Sequence, residues 1–198
     1  KMLQETHRLI ELVQEWLDLT ELQTAPNKAL KYDTFNLCEL VQSVWQTLEP
    51  IANKKEVTLT YQGDRQIMIS ADSSRLIQVF LNLLDNAIKH NPRGKEIIVQ
   101  VLSQSSCQSD PSDYQEQIKI DVIDSGRGFN PSDLPYIFER LYRGDKSRTR
   151  EAGGNANTEG NGLGLAIVEQ IIQAHGGAIA AKNHPQSGGA WLEILLPT

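Results

Sequence analysis

Residues 72–91 read D-S-S-R-L-I-Q-V-F-L-N-L-L-D-N-A-I-K-H-N, and their periodicity decides the fold. At about 100° of rotation per residue, Leu76, Ile77, Phe80, Leu83, Leu84, Ala87 and Ile88 share one side, while Asn82, Asp85, Asn86 and Lys89 gather on the other. This predicts an amphipathic helix capped by Asp72 and stopped by Asn91-Pro92 with Gly94 beyond. A solvated helix face ordinarily carries Glu and Lys, whereas Asn is a poor helix former that prefers caps and turns. Two asparagines one turn apart carry a local cost, and such costs mark functional sites. An amide oxygen can coordinate a hard cation such as Mg²⁺, and a lysine one turn on can meet a phosphate. The plain alternative is a polar face turned to water.

Working outward from this helix, the pattern is a two-layer α/β one. Residues 66–71 form a strand feeding Asp72, residues 57–61 alternate as V-T-L-T-Y, and Gly63-Asp64 turns between them. Asn36 caps a helix through Leu40, Val41, Val44, Trp45 and Leu48 to about residue 52, preceded by a short strand at 32–35. Beyond the central helix, strands at 97–102 and 118–123 flank S-Q-S-S-C-Q-S-D-P-S-D-Y-Q-E-Q, a polar stretch expected to be a surface excursion. Residues 163–174 form a helix ended by His175-Gly176-Gly177, His184-Pro185 marks a turn, and 178–182 with 190–196 close the chain as paired strands. Successive hairpin-joined strands predict a mixed or antiparallel sheet with helices on one face, not a doubly wound parallel sheet.

At the start of the chain, Leu9, Leu12, Val13, Trp16, Leu19 and Leu22 recur at three- and four-residue spacing, widened by Ile10 and Leu17. Such a helix needs partners on more than one side, as in a bundle or dimer interface. The segment 23–31, with Pro26 and Asn27, marks a boundary, giving a helical piece at 1–25 and a main domain at 26–198. A chain of 198 residues accommodates one core. Charged residues at 22%, a net charge of −6 and no basic stripe argue against nucleic acid as a partner. Two cysteines, Cys38 and Cys107, have neither metal-ligand nor redox spacing, and no apolar run is long enough to span a bilayer. The expectation is a soluble, cytoplasmic piece of a longer protein, any membrane attachment lying before Lys1.

Two glycine strings remain. Asp124-Ser-Gly-Arg-Gly-Phe129 begins where a strand ends. Its glycines let backbone approach a flat ligand, and Asp124 can accept from an exocyclic amine, although a strand-to-turn junction alone also explains it. Gly160-Asn-Gly-Leu-Gly-Leu165 opens onto a helix whose first amides suit phosphate. It lacks the Gly-Lys-Ser/Thr of a Walker loop and the strand and spacing of a Rossmann fingerprint, and a flexible hinge is its alternative.

Taken in order, these strings resemble the catalytic ATP-binding domain of sensor histidine kinases, in the GHKL superfamily whose Bergerat fold is shared with gyrase, MutL and heat-shock chaperones. The motifs are the asparagine box N-L-L-D-N-A-I-K-H, the first glycine box D-S-G-R-G-F, the phenylalanine box I-F-E-R-L-Y-R and the second glycine box G-N-G-L-G-L, within residues 32–197. The resemblance implies a two-layer α/β sandwich binding ATP and Mg²⁺. Asn86 would hold the metal with Asn82 beside it, and Lys89 and His90 would approach the phosphates. Asp124 would hold the adenine amino group, with Gly126, Gly128 and Phe129 along the base. Gly160, Gly162, Leu163, Gly164 and Leu165 would form the phosphate side. Residues 129–160 would be a lid anchored by Phe138 and Tyr142, its cations Arg140, Arg143, Lys146, Arg148 and Arg150 available to phosphate, and Arg143 would join Asn82, Asn86 and Lys89 as the catalytic set.

The implied activity is γ-phosphoryl transfer to a histidine and thence to a response-regulator aspartate, in a homodimer. The leading helix resembles the second helix of the family's dimerisation and phosphoacceptor hairpin. The acceptor histidine belongs on the first helix, in a context like H-E-L-K-T-P, which His7 in T-H-R-L-I-E lacks. An amide at Asn82, where the family's ATPases carry Glu, suits slow transfer better than hydrolysis. A GHKL ATPase and a non-catalytic nucleotide-binding dimerisation module are the alternatives.

Overall fold

Asn36 ends a short strand, β1 (Asp33–Asn36), and starts the first helix, α1 (Leu37–Lys54), because its side chain accepts a bond from the Glu39 amide. The structure, a computed structural model, describes residues 30–107, 114–142, 144 and 162–197. The leading helix and the boundary near residue 25 lie outside the described residues. After α1 come β2 (Thr58–Gly63), β3 (Met68–Ala71), α2 (Ser73–His90), β4 (Glu96–Cys107), β5 (Tyr114–Ile123), a 3₁₀ turn (Leu134–Tyr136), α3 (Gly164–Ala174), β6 (Ala178–Asn183) and β7 (Ala190–Pro197).

Five strands form one mixed sheet in the order β2-β4-β5-β7-β6, antiparallel except for the parallel β2–β4 pair. The strands on either side of Gly63-Asp64 do not pair with each other: β3 pairs instead with β1 in a separate two-stranded sheet. Helices cover one face, where Ile97, Val99, Val101, Ile118, Ile120, Val122, Leu192, Ile194 and Leu196 join α1, α2 and α3 in a single core. The opposite face carries Lys119, Asp121, Lys182, Trp191 and Glu193. Glu193 pairs with both lysines, Trp191 Nε1 donates to buried Asp121, and Lys182 Nζ stands 3.7 Å from the Trp191 ring centre.

Two expectations are corrected. The polar stretch read as a surface excursion is mostly strand: β4 runs to Cys107 and β5 starts at Tyr114, in register from Ser103↔Ile118 to Cys107↔Tyr114. Backbone groups make the ladder, and serine and glutamine supply them as well as valine does. On α2, Ile77 is 38% exposed while Val79, placed on neither face from the sequence, is buried. The buried arc is thus rotated toward Val79, which joins the core while Ile77 faces outward.

Asp72 holds the start of α2. It accepts from the amides of Arg75 at 3.1 Å and Lys31 at 2.8 Å, and its own amide donates to Nε2 of buried His175 at 3.0 Å. His175 Nδ1 bonds the Ile171 carbonyl at 2.7 Å, so the end of α3 is tied to the start of α2. Burial alone would raise the Asp72 pKa, but the Lys31 and Arg75 amides outweigh it and hold it below the ordinary value of 3.8. A lowered native pKa gives stability that is present above the ordinary value and lost as pH falls through the native one. Asp72→Ala is therefore expected to cost about 1–2 kcal/mol at pH 7, a difference that shrinks in strong acid. Urea melts at the two pH values check this; an equal loss at both would contradict the charged-cap account. Among the described residues no helix is long and apolar enough to cross a membrane.

Candidate functional site

The second half of α2 and the start of α3 face each other. A Cβ placed on Gly164, the first residue of α3, would lie 3.3 Å from Asn82 Oδ1 and 3.8 Å from Asn86 Nδ2. The missing side chain lets a helix N-terminus, with its unpaired amides, approach the asparagine face. Both asparagines are half-buried, and neither side-chain amide has a hydrogen-bond partner among the described residues. Lys89 forms an ion pair with Asp85 one turn back.

Just before α3, Gly162 has φ +69° and sits against the backbone of Leu141 and Tyr142, with the Leu141 amide donating to its carbonyl at 2.9 Å. Leu163 is fully buried in the core, so its backbone is what it can offer a ligand, and Leu165 packs partly against the same core. Tyr142 donates to Asp133 Oδ1 at 3.0 Å, and Phe138 packs on the core. Arg143, Gly160 and the cations beyond Arg143 lie outside the described residues.

A second constellation stands at the C-terminus of α2. Asp124, directly after β5, is 6% exposed; its Oδ1 accepts from the amides of Gly126 at 2.8 Å and Ala190 at 2.9 Å. Its Oδ2 has no partner among the described residues. Burial raises the Asp124 pKa, opposed by those two amides and by His90. Gly126 packs so tightly on the His90 carbonyl that a Cβ would lie 2.7 Å from it. His90 keeps an open surface at the end of the helix, yet desolvation by crowding neighbours and the charge of Arg127 lower its pKa against the pull of Asp124. The net effect favours the neutral imidazole.

Three further residues position this end, of which only Asn91, as a helix stop, carries a local sequence signal. Asn91, 4% exposed, donates to the Glu96 carbonyl at 3.1 Å and accepts from the Ser125 amide at 2.9 Å, joining α2, β4 and the glycine turn. Lys55 donates to the carbonyls of Ile88 at 3.0 Å and Lys89 at 2.6 Å, placing a cation where the helix dipole is negative. Asn183 bonds both backbone groups of Phe129. Asn91-Pro92 signals only a stop, and Lys55 and Asn183 are too distant in sequence for any local pattern to show.

The two constellations lie on one helix, with Asn82 and His90 about 12 Å apart along it, so one elongated ligand can touch both. One end offers a desolvated carboxylate oxygen to an amine; the other offers amide oxygens and a helix N-terminus to an anion and its cation. Among the described residues no group of three or more His, Cys, Asp and Glu side chains could hold a metal. A cation drawing on amide oxygens, water and ligand phosphate has the habit of Mg²⁺, so these residues fit it.

A mixed sheet backed by helices, with an asparagine face, an acid before one glycine turn and a second glycine turn opening a helix, defines a GHKL-type ATPase domain. The family described as histidine kinase-, DNA gyrase B- and HSP90-like ATPase matches residues 71–198, and the chain belongs to it. Its relatives include the sensor protein SphS of Synechococcus elongatus, 42% identical over 197 residues, covering 100% of this chain and 45% of SphS. The fold is similar to the mycobacterial sensor histidine kinase MprB (TM-score 0.64, 27% identity, 84% of this chain and 97% of that one). It is also similar to full-length ShkA in complex with AMPPNP (TM-score 0.71, 25% identity, 96% of this chain and 36% of that one). The chain thus spans less than half of SphS.

Proposed function

We propose that this chain is the ATP- and Mg²⁺-binding catalytic part of a sensor histidine kinase, passing the γ-phosphoryl group to a histidine and through it to a response-regulator aspartate. The carrying observation is the pair of half-buried amides of Asn82 and Asn86, without partners among the described residues, set against the Gly164 end of α3. The likeness to ShkA, solved in complex with AMPPNP, supports a nucleotide as the ligand. Asn86, with Asn82 beside it, would hold Mg²⁺, which supplies charge neutralisation at the phosphates when bound. The Asp124 carboxylate accepts from the adenine amine, and the Gly164 amides and Lys89 meet the phosphates once Lys89 leaves Asp85.

Little covalent chemistry falls to the protein in phosphoryl transfer, so these contacts act by positioning and electrostatics. A neutral amide at Asn82 cannot take a proton from water as a carboxylate does, which favours transfer over hydrolysis. Residues 1–25 belong, on this reading, to the hairpin that presents the acceptor, and the working assembly is a homodimer.

Incubation with γ-labelled ATP and a separately supplied acceptor hairpin tests this. The expected outcome is acid-labile, base-stable label on the hairpin and none on this chain alone. Rapid phosphate release without any acceptor would assign the chain to the hydrolysing members of the family, and label on this chain lost on changing His7 would move the acceptor into it.

A further inference from the structure

The turn between β6 and β7 is a small closed loop. The His184 amide donates to the Gly189 carbonyl and the Gly188 amide to the His184 carbonyl, each at 2.8 Å. This loop backs onto both halves of the first glycine box. It meets Asp124 through the Ala190 amide on Oδ1 at 2.9 Å and through Ser187 Oγ on the backbone carbonyl at 3.2 Å. It meets the other half through the Asn183 side chain: the Phe129 amide donates to Asn183 Oδ1 at 2.7 Å, and Asn183 Nδ2 donates to the Phe129 carbonyl at 2.8 Å. One side chain thus takes both backbone groups of one residue, as a neighbouring strand would. A primary amide carries a donor and an acceptor side by side on two atoms; an aspartate accepts only, and a serine has its donor and its acceptors on a single oxygen.

The surroundings are built around this contact. Gly128 has φ +69°, and a Cβ there would run into Asn183 and the Gly188 carbonyl. The close approach of the turn to the box is therefore fixed on both sides.

We propose that Asn183 is a positioning residue for base recognition: by gripping Phe129 it sets the second half of the glycine box at a fixed separation from Asp124, and so the width of the slot that admits the base. The inference rests on the nucleotide reading above and deepens it. Asn183 itself need not touch the ligand. Its effect falls on discrimination at the base, where the Asp124 carboxylate meets an amine in ATP but a carbonyl oxygen in inosine triphosphate.

The test compares ATP-Mg²⁺ with inosine triphosphate-Mg²⁺ by calorimetry, with melting curves on the same samples. The unsubstituted protein is expected to favour ATP; no binding of either nucleotide would defeat the proposed function itself and not this inference. Asn183→Ala is expected to weaken ATP about tenfold, the equivalent of one or two lost hydrogen bonds, while inosine triphosphate changes less than about twofold and the preference narrows. Asn183→Asp keeps the acceptor but sets an oxygen against the Phe129 carbonyl, so it should narrow the preference at least as much. A general loss of stability would weaken both nucleotides together. An ATP preference unchanged in folded Asn183→Ala overturns the proposal, however far the melting temperature falls. Should that variant not fold, Asn183→Ser, which lacks the side-by-side donor and acceptor of the amide, carries the same comparison with the same criterion.

Discussion

Asn86→Ala is expected to lower phosphoryl transfer at least about 100-fold and to remove most of the Mg²⁺ dependence of ATP binding, scaled on the loss seen when groups supporting a metal are deleted. The same substitution should leave the fold intact or slightly firmer. Asn86 lies in the middle of α2, its amide bonds nothing among the described residues, and alanine is the better helix former by about 0.5 kcal/mol. Activity and stability therefore move in opposite directions. Titration of ATP with and without Mg²⁺, together with a urea melt, reads both. A variant whose ATP affinity still rises with Mg²⁺ as in the parent would remove Asn86 from the metal site. The control is Asp85→Ala, which releases Lys89 from its ion pair and should leave the metal dependence in place.

Asp124→Asn should weaken ATP about 10- to 100-fold, the range expected when a charge-assisted hydrogen bond becomes a neutral or mismatched one. An amide oxygen can still accept from Gly126 and Ala190, so the glycine turn survives and the loss reports on the free oxygen. Burial raises the Asp124 pKa above 3.8. A native pKa above the unfolded one means the folded chain binds its proton more tightly; the resulting stability is full in acid and lost as pH rises through the native value. Binding runs the other way, because a proton on Oδ2 puts a donor where the amine needs an acceptor, so ATP affinity should fall as pH drops through that value. Asp124→Asn removes both slopes. Thermal melts and ATP titrations at a series of pH values check the pair, and an asparagine variant that keeps the parent's pH dependence would mean another group titrates there.

What the sequence makes legible is what repeats locally. The caps of α1 and α2, the asparagine face and the two glycine strings are readable because helix period, capping side chains and glycine spacing are short-range signals. Partner choice among strands is not short-range. A turn at Gly63-Asp64 says that the chain reverses and not that β2 will pair with β4 in parallel, which needs Gly63 pressed against the Val101 backbone 38 residues on. The β4–β5 extension was hidden because a ladder outside the core needs no apolar alternation. At the site, the residues expected to touch a ligand are visible, while those that hold them in place, Asn91, Lys55 and Asn183, are ordinary polar residues whose partners come from other elements. His175 reads as a helix end and is one, but its bond to the Asp72 amide spans 103 residues.

That last bond makes the helix pair a lever. Pinned at His175, α3 runs antiparallel to α2 with its N-terminal end, Gly164, beside Asn82 and Asn86. Its 11 residues give an arm of roughly 16 Å, so a tilt of about 5° about the pin carries the Gly164 amides about 1.4 Å, half the length of a hydrogen bond. The pin is buried and bonded through both ring nitrogens, and at the far end buried Leu163 holds the helix on the core while Gly164, with no side chain, lies close to the asparagines. A displacement of that size decides whether those amides meet an anion, so the bond at His175 fixes the geometry of a site at the other end of the helix.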